Sequence, residues 1–462
     1  TRLQSMQPTD IGVDGVRGTA NVEPVTAETA LKLGRAAAHV FKKRVPQARG
    51  GGRHKIVIGK DTRLSGYMLE NAIASGILSM GVDVLLIGPL PTPGVAYITR
   101  SLRADAGIVL TASHNPYEDN GIKFFRDDGY KLDDSIEAEI EELVFSGQIE
   151  NIRPTAGEIG KAVRIEDALG RYVESVKAAF PKGMTLEGMR IVVDTGNGST
   201  YKSTPCVLRE LGAHLTVFNN TPDGTNINKR CGSMHPEVMC QAVRAVGADV
   251  GISHDGDGDR VLLCDEQGEL VDGDDVLAIT SLDWLTRGAL AKKTLVATVM
   301  SNLGLDHTLK NAGGQVVRTQ VGDRYVIEEM VAHDYNVGGE QSGHMIFRDY
   351  TTTGDGVISA LQVLRIMMDK GRPLSELKKV CTKFPQIVLN VNVKSKPDWS
   401  TLSDVQSMVQ QVEHTLGKDG RIFLRYSGTE PKARILIEGR DQKQITHFAE
   451  EIADRIKAKI GA

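Results

Sequence analysis

Along most of this 462-residue chain a short apolar run gives way to a polar turn, and the turn to a stretch with helical periodicity, over and over. Lys55–Gly59, Val82–Ile87, Ile108–Leu110, Arg190–Asp194, Leu215–Phe218, Asp249–Ser253, Thr294–Met300 and Gln315–Thr319 read as strands. Helices are predicted over 26–43, 69–80, 94–100, 133–144, 167–179, up to Leu211, 236–246 and 305–312. Parallel neighbours in a sheet need a crossover long enough to hold a helix, so this alternation predicts mixed or parallel sheets with helices on their faces. From Phe384 the pattern changes to simple alternation. Strands at 387–393, 421–425 and 434–438, with helices at 402–416 and 442–459, make a small α+β unit.

The length fits three or four domains of about 100–150 residues. The expected architecture is three similar α/β domains with mixed sheets sandwiched by helices, plus a smaller C-terminal α+β domain, around a central cleft. Boundaries are set at 1–155, 156–268, 269–383 and 384–462. With 49 glycines the chain can build many tight loops. Aromatic residues make up only 5%, and the net charge of -4 comes from interspersed charges of both signs, so no basic or stacking surface for nucleic acid is expected. The five cysteines, at 206, 231, 240, 264 and 381, are scattered without a C-x-x-C pair, which suggests neither a disulfide framework nor a zinc site. No run reaches the ~18 apolar residues of a membrane span, and the first residues hold no apolar export segment; a cytoplasmic protein is expected.

Three stretches carry candidate chemistry. In the first, I-V-L-T-A-S-H-N-P-Y-E-D-N-G-I-K-F-F (108–125), Ser113 falls where a strand ends, the usual address of ligands in open α/β sheets. Asn115-Pro116 and Asn120-Gly121 read as turns beyond it. A loop serine beside a histidine is often only a turn residue, so the reading depends on the company it keeps. In the second, H-D-G-D-G-D-R (254–260), Asp255, Asp257 and Asp259 alternate with glycine and can aim three oxygens at one hard cation. An EF-hand loop fails because Arg260 occupies the sixth position, where that turn needs Gly, and 261–268 looks like a hairpin; an acidic surface turn stays open. In the third, L-R-Y-S-G-T-E-P (424–431), Arg425, Ser427, Gly428 and Thr429 suit a phosphate nest, with Arg434 nearby; a plain hairpin turn would fit as well.

Taken with D-G-V-R-G (14–18), G-E-Q-S-G-H (339–344), V-G-D-R-Y (321–325) and T-T-G-D-G (352–356), these motifs resemble, in order, those of the α-D-phosphohexomutases, most of all the bacterial phosphoglucosamine mutases. The resemblance runs from Asp14 to about Gly439. It implies a phosphoryl-carrying Ser113, Lys123 and His344 for proton transfer, and Arg17 as a phosphate contact. One Mg²⁺ would be held by Ser113, Asp255, Asp257 and Asp259. Substrate contacts would come from Arg260, Arg324, Glu340, Ser342, Arg425, Ser427, Gly428, Thr429 and Arg434. Two positions depart from the family pattern: Val13 stands where Thr is usual, and Tyr426 where Pro is usual.

The implied activity interconverts glucosamine 6-phosphate and glucosamine 1-phosphate through glucosamine 1,6-bisphosphate, which is intermediate and activator. It would feed amino-sugar nucleotide and cell-wall synthesis. A phosphomannomutase/phosphoglucomutase of the same superfamily is the near alternative, and a metal-dependent sugar phosphatase the more distant one. The expected partner is a small hexosamine phosphate, with no nucleic acid and no membrane. First phosphorylation would need a kinase or self-phosphorylation, and a homodimer is compatible with the resemblance.

Overall fold

The computed structural model describes residues 15–45, 48, 52–427 and 431–462. Gly428 and Thr429, and the Val13 departure, lie outside the described residues. The chain divides into two compact units, one made of 1–276 and 336–377 and the other of 277–335 and 378–462.

In the first unit the chain opens with β1 (Val16–Thr19), α1 (Ala27–Arg44), β2 (Lys55–Lys60), α2 (Ser65–Leu78), β3 (Asp83–Pro89), α3 (Thr92–Ser101), β4 (Ala106–Leu110), β5 (Asp119–Arg126), α4 (Asp134–Ser146) and β6 (Ala162–Arg164). These build a six-stranded sheet ordered β1-β5-β4-β2-β3-β6. The β4-β2-β3-β6 part is parallel, whereas β5 runs antiparallel to both β4 and β1. All five residues of β4 are buried, as a central parallel strand covered on both faces requires. The last strand, β6, lies past the boundary set at 155.

Helix α1 starts where Thr26 Oγ1 accepts from Thr29 N and ends in Lys42, Lys43 and Arg44, which complement the helix dipole. Its crossing with α2 is close because Gly34 and Gly76 face the other helix's backbone. A Cβ on Gly34 would stand 2.4 Å from the Ile73 carbonyl oxygen, and one on Gly76 would stand 2.2 Å from that of Leu31. Below them Leu33, Val40, Ile56, Ile58, Ile73, Ile77 and Ile108 form the first core. Each such side chain contributes roughly 1.5–3 kcal/mol by leaving water.

The second α/β layer repeats the plan. It contains α5 (Ala168–Lys177), β7 (Arg190–Asp194), α6 (Thr200–Glu210), β8 (His214–Phe218), α7 (Pro236–Val246), β9 (Val250–His254), β10 (Val261–Asp265) and β11 (Leu270–Val271). Its order is β11-β10-β9-β7-β8, again a parallel part (β9-β7-β8) continued by an antiparallel hairpin. Helix α8 (Gly273–Thr286) carries the chain into the second unit, where β12 (Thr294–Thr298), α9 (Leu303–Asn311), β13 (Gln315–Thr319) and α10 (Asp323–His333) follow, β12 and β13 being parallel. Back in the first unit come the hairpin β14 (Val337–Gly339) and β15 (Met345–Phe347), then α11 (Gly356–Lys370), capped by Asp355, and the short α12 (Leu374–Leu377). The chain finishes in the second unit with β16 (Gln386–Asn392), α13 (Ser403–Leu416), β17 (Arg421–Tyr426), β18 (Lys432–Glu438) and α14 (Gln442–Ile460). There an antiparallel β16-β18-β17 sheet packs Ile435 and Ile437 against Val405, Val412, Ile445 and Ile452.

One sequence expectation is corrected. Asn120-Gly121 is not a turn but lies inside β5, paired with Gly18 and Arg17 of β1. The Asn120 side chain is buried and donates to Ser65 Oγ (2.9 Å). A side chain on Gly121 would meet the carbonyl oxygens of Thr111 and Val16 at 2.7 Å each, so the glycine serves close strand packing. Helix α2 also starts earlier than its apolar periodicity suggests, directly from the Asp61–Leu64 turn. Among the described residues no helix is long and apolar enough to cross a membrane.

Candidate active site

Ser113 follows β4 in the turn that leads to β5. Its backbone is held in the left-handed region (φ 52°), and its Oγ donates to Asp255 Oδ2 at 2.6 Å. The serine is 3% exposed, too buried for an ordinary surface turn residue. Neighbouring His114 is kept neutral: burial, then the positive charges of Arg260 and Arg17, lower its pKa to about 4.

The acidic loop occupies the matching place between β9 and β10. Carboxylate oxygens of Asp255, Asp257 and Asp259 lie within 4.8 Å of one another, and all three residues are buried. Burial and mutual repulsion raise the Asp255 and Asp259 carboxyls. Burial pushes Asp257 the same way, but Lys123 (Nζ 3.4 Å from Oδ2) and the Thr92 hydroxyl (2.7 Å) outweigh it and hold Asp257 below the usual range. Asp257 Oδ1 and Asp259 Oδ1 are buried without a hydrogen-bond partner. Converging, desolvated, unsatisfied oxygens fit a hard divalent cation, and the acidic surface turn is excluded because all three aspartates are buried.

Cations border the cluster. Arg260, half-buried, donates its backbone N–H to Asp255 Oδ1 (3.2 Å) with its Nε 4.0 Å from Asp259 Oδ1, and Asp259, Asp255 and Glu340 hold it charged against the cost of burial. Arg17 stands exposed on β1, opposite Gly121. His344 Nε2 lies 3.8 Å from Asp259 Oδ2, its residue bridged antiparallel to Arg260. Residues 340–344 are the turn of the β14–β15 hairpin: Glu340 N donates to His344 O (2.8 Å), and Gly343 N to Glu340 O (3.0 Å). Glu340 is 8% exposed, Ser342 open to solvent. Ser113, Lys123, the three aspartates, Arg260 and His344 are thus brought together.

Family models for all four phosphoglucomutase/phosphomannomutase domains match the chain: alpha/beta/alpha domain I over 9–150, II over 170–268, III over 272–384 and the C-terminal domain over 388–455. The chain belongs to the phosphoglucomutase/phosphomannomutase family. It is 57% identical to a phosphoglucosamine mutase of Syntrophotalea carbinolica over 97% of each chain. A phosphoglucomutase/phosphomannomutase family protein of Burkholderia thailandensis has the same fold, with a TM-score of 0.80 at 22% identity over 99% of this chain and 100% of that one. An Aspergillus fumigatus N-acetylphosphoglucosamine mutase, solved in complex with GlcNAc-6P and magnesium, matches with a TM-score of 0.61 at 18% identity over 92% and 99%. The chain is accordingly a phosphohexomutase, an isomerase of phosphorylated sugars.

The remaining candidates of this phosphohexomutase lie in its second unit. Arg425 and Arg434 are directly opposed on β17 and β18. Burial, then the charge of Arg434, lowers the Arg425 pKa. Ser427 is buried; its N–H donates to Lys432 O (2.9 Å), and its carbonyl accepts from Lys396 Nζ (2.6 Å). Arg324 lies in the first turn of α10 and pairs with Glu328 at 2.9 Å.

Sequence reasoning missed a buried layer behind Ser113. Arg63 (1% exposed) is ion-paired with Asp61, and Asn228 reaches the same turn from the loop after β8. D-T-R at 61–63 reads as a turn, and Asn228 as part of an irregular loop. Only the fold reveals their targets, which are backbone carbonyls and leave no mark in a motif.

Proposed function

We propose that the chain interconverts glucosamine 6-phosphate and glucosamine 1-phosphate through a phosphorylated Ser113, with glucosamine 1,6-bisphosphate as the intermediate. The observation that carries this reading is the 2.6 Å approach of Ser113 Oγ to Asp255 within three buried carboxylates bordered by Lys123 and Arg260. A hydroxyl so placed suits phosphoryl exchange in a site that excludes water. The glucosamine preference is supported by the phosphoglucosamine mutases that match nearly the whole chain.

In the first transfer the free sugar hydroxyl forms the new O–P bond as the bond from Ser113 Oγ to phosphorus breaks. The hydroxyl proton is taken by Lys123 acting as a neutral amine, assisted by His344, and a proton is delivered to the departing Ser113 Oγ, which ends as a free hydroxyl. After the bisphosphate turns over, Ser113 Oγ takes the other phosphoryl group, and the proton returns to the sugar oxygen that is released. Asp255, Asp257 and Asp259 with Ser113 would hold one Mg²⁺, which when bound neutralises charge on the phosphoryl group. Arg17 and Arg260 supply further positive charge, since a phosphoserine adds about -1.5 to -2 to a site already rich in carboxylates. Glu340 and Ser342 bind sugar hydroxyls. Arg324 contacts substrate, and Arg425, Ser427, Gly428, Thr429 and Arg434 hold the phosphate that is not reacting. The first phosphoryl group comes from a kinase or from self-phosphorylation, and the bisphosphate reloads Ser113 thereafter.

The deciding experiment incubates the purified chain with Mg²⁺, a hexose 1,6-bisphosphate and, in turn, the 6-phosphates of glucosamine, glucose and mannose. Conversion of the glucosamine ester at the highest kcat/KM is expected, and Ser113→Ala should abolish it. Inorganic phosphate as the main product, or an undiminished rate in Ser113→Ala, would sink the proposal. Faster turnover of glucose or mannose phosphate would move it to the phosphomannomutase/phosphoglucomutase alternative.

A further inference from the structure

Ser113 has a Cβ, yet its φ of 52° lies where an L-residue pays about 1 kcal/mol or more. Something must hold it there. The carbonyl oxygens of Ser113 and Asn115, on either side of His114, each accept from the same two side chains. Arg63 Nη2 reaches them at 3.3 and 2.6 Å, and Asn228 Nδ2 at 2.9 and 3.0 Å. Both donors are themselves fixed. The Arg63 guanidinium is ion-paired with Asp61, which also accepts from Arg63 N (2.9 Å) and from Thr111 Oγ1 (2.6 Å). Thr111 Oγ1 in turn accepts from Ser113 N at 3.0 Å. Asn228 has its own N–H bonded to Gly196 O at 2.9 Å. Every backbone polar group of Ser113 is therefore engaged, from two different α/β layers, while its hydroxyl is turned to Asp255.

We propose that Arg63 and Asn228 are positioning residues for phosphoryl transfer: they clamp the Ser113 and Asn115 carbonyls so that Ser113 Oγ faces the aspartate cluster. This rests on the reading of Ser113 as the phosphoryl carrier. Neither side chain bonds to the Ser113 hydroxyl or to the three aspartates. Their effect is on the rate of transfer and not on substrate affinity, because they fix the position of the reacting oxygen.

The test uses the full chain carrying Asn228→Ala, Asn228→Asp or Arg63→Lys, read by kcat and KM, by Tm, and by amide hydrogen exchange of residues 111–116. Asn228→Ala is expected to lower kcat by about tenfold to a hundredfold with KM within about threefold, and to speed exchange at 111–116 but not in β7 or β9. Asn228→Asp should fall further, since it turns a carboxylate oxygen toward the two carbonyls. A kcat within threefold of wild type overturns the proposal. So does a fall in kcat that only tracks the unfolded fraction, or unchanged exchange at 111–116. Should Arg63→Lys fail to fold because Asp61 is left buried without its guanidinium, the Asn228 variants decide alone. Absence of mutase activity in the wild type would remove the parent reading, whereas the exchange measurement reports on the clamp independently of turnover.

Discussion

Gly256→Ala tests how finely Ser113 must be placed. The glycine lies between Asp255 and Asp257, and a Cβ there would stand 2.6 Å from the Ser113 carbonyl oxygen, 2.7 Å from Ile227 Cδ1 and 2.9 Å from Asn228 Nδ2. None of these yields easily, since the carbonyl is clamped by Arg63 and Asn228, and Ile227 is buried. Moving the oxygen from 2.6 Å to the 3.4 Å at which ordinary contact begins is a retreat of about 0.8 Å. A misplacement of about 1 Å costs on the order of 10²-fold in rate, so kcat should fall roughly 30- to 100-fold. Overpacking should cost about 1–3 kcal/mol of stability as well. The assay compares kcat, KM and Tm with those of Gly170→Ala, at an exposed α5 position where a Cβ meets nothing within 4 Å, and which should gain up to about 1 kcal/mol from helix propensity. Wild-type kcat and Tm in Gly256→Ala would refute the argument, because they would show that the Ser113 carbonyl is free to move without consequence.

Mg²⁺ alone should raise the Tm of the wild-type chain, by the equivalent of about 2.7 kcal/mol at a hundred times its Kd, and should raise that of Asp257→Asn much less; equal shifts would remove the aspartates as the cation's ligands. Burial lifts the Asp355 carboxyl to about 6, against the bonds it accepts from Ile358 N and the Tyr172 hydroxyl. The folded state therefore binds this proton more tightly than the unfolded one, and the stability it contributes, full below about 3.8, is lost as pH rises through 6. Chemical denaturation of Asp355→Asn against wild type should show the variant gaining up to about 3 kcal/mol, relative to wild type, between pH 4 and 7; parallel curves would contradict the assignment. Gly76→Ala would add about 1 kcal/mol on helix propensity alone, but the Leu31 carbonyl 2.2 Å from the new Cβ should reverse the sign, and a rise in Tm would show that α1 and α2 part without cost.

The sequence was most legible where burial is two-sided or periodicity is long. Strand β7 and helix α7 fall where their patterns put them, because buried parallel strands and amphipathic helices repeat one physical requirement over many residues. The edges were not. In β5, Asn120 and Gly121 carry a turn signal, yet tertiary packing overrides it: a hydrogen bond from the Asn120 amide to Ser65 Oγ and two carbonyls that crowd Gly121 hold the pair in the strand. The chemical groups could be read because phosphoryl transfer needs particular side chains. Their supports could not, because Arg63 and Asn228 act on main-chain oxygens, and any loop could in principle present those.

The chemistry is distributed by topology. The Ser113 turn joins β4 to β5 and the aspartate loop joins β9 to β10, in each case where the last strand of a parallel set passes its chain to an antiparallel neighbour. Residues 340–344 likewise close an antiparallel hairpin, β14–β15. At such a junction the ladder of the parallel strand has ended and the returning strand fixes the far side of the turn, so polar residues can be buried at its tip without being free to move. A hydroxyl in one layer and three carboxylates in the other then meet because both turns leave the carboxyl ends of buried strands, and the 2.6 Å bond between Ser113 and Asp255 spans the two layers. The placement of the nucleophile is accordingly a property of the packing between the first two α/β layers: substitutions such as Asn228→Ala, remote from the reacting oxygen in sequence, should act on rate before they act on stability.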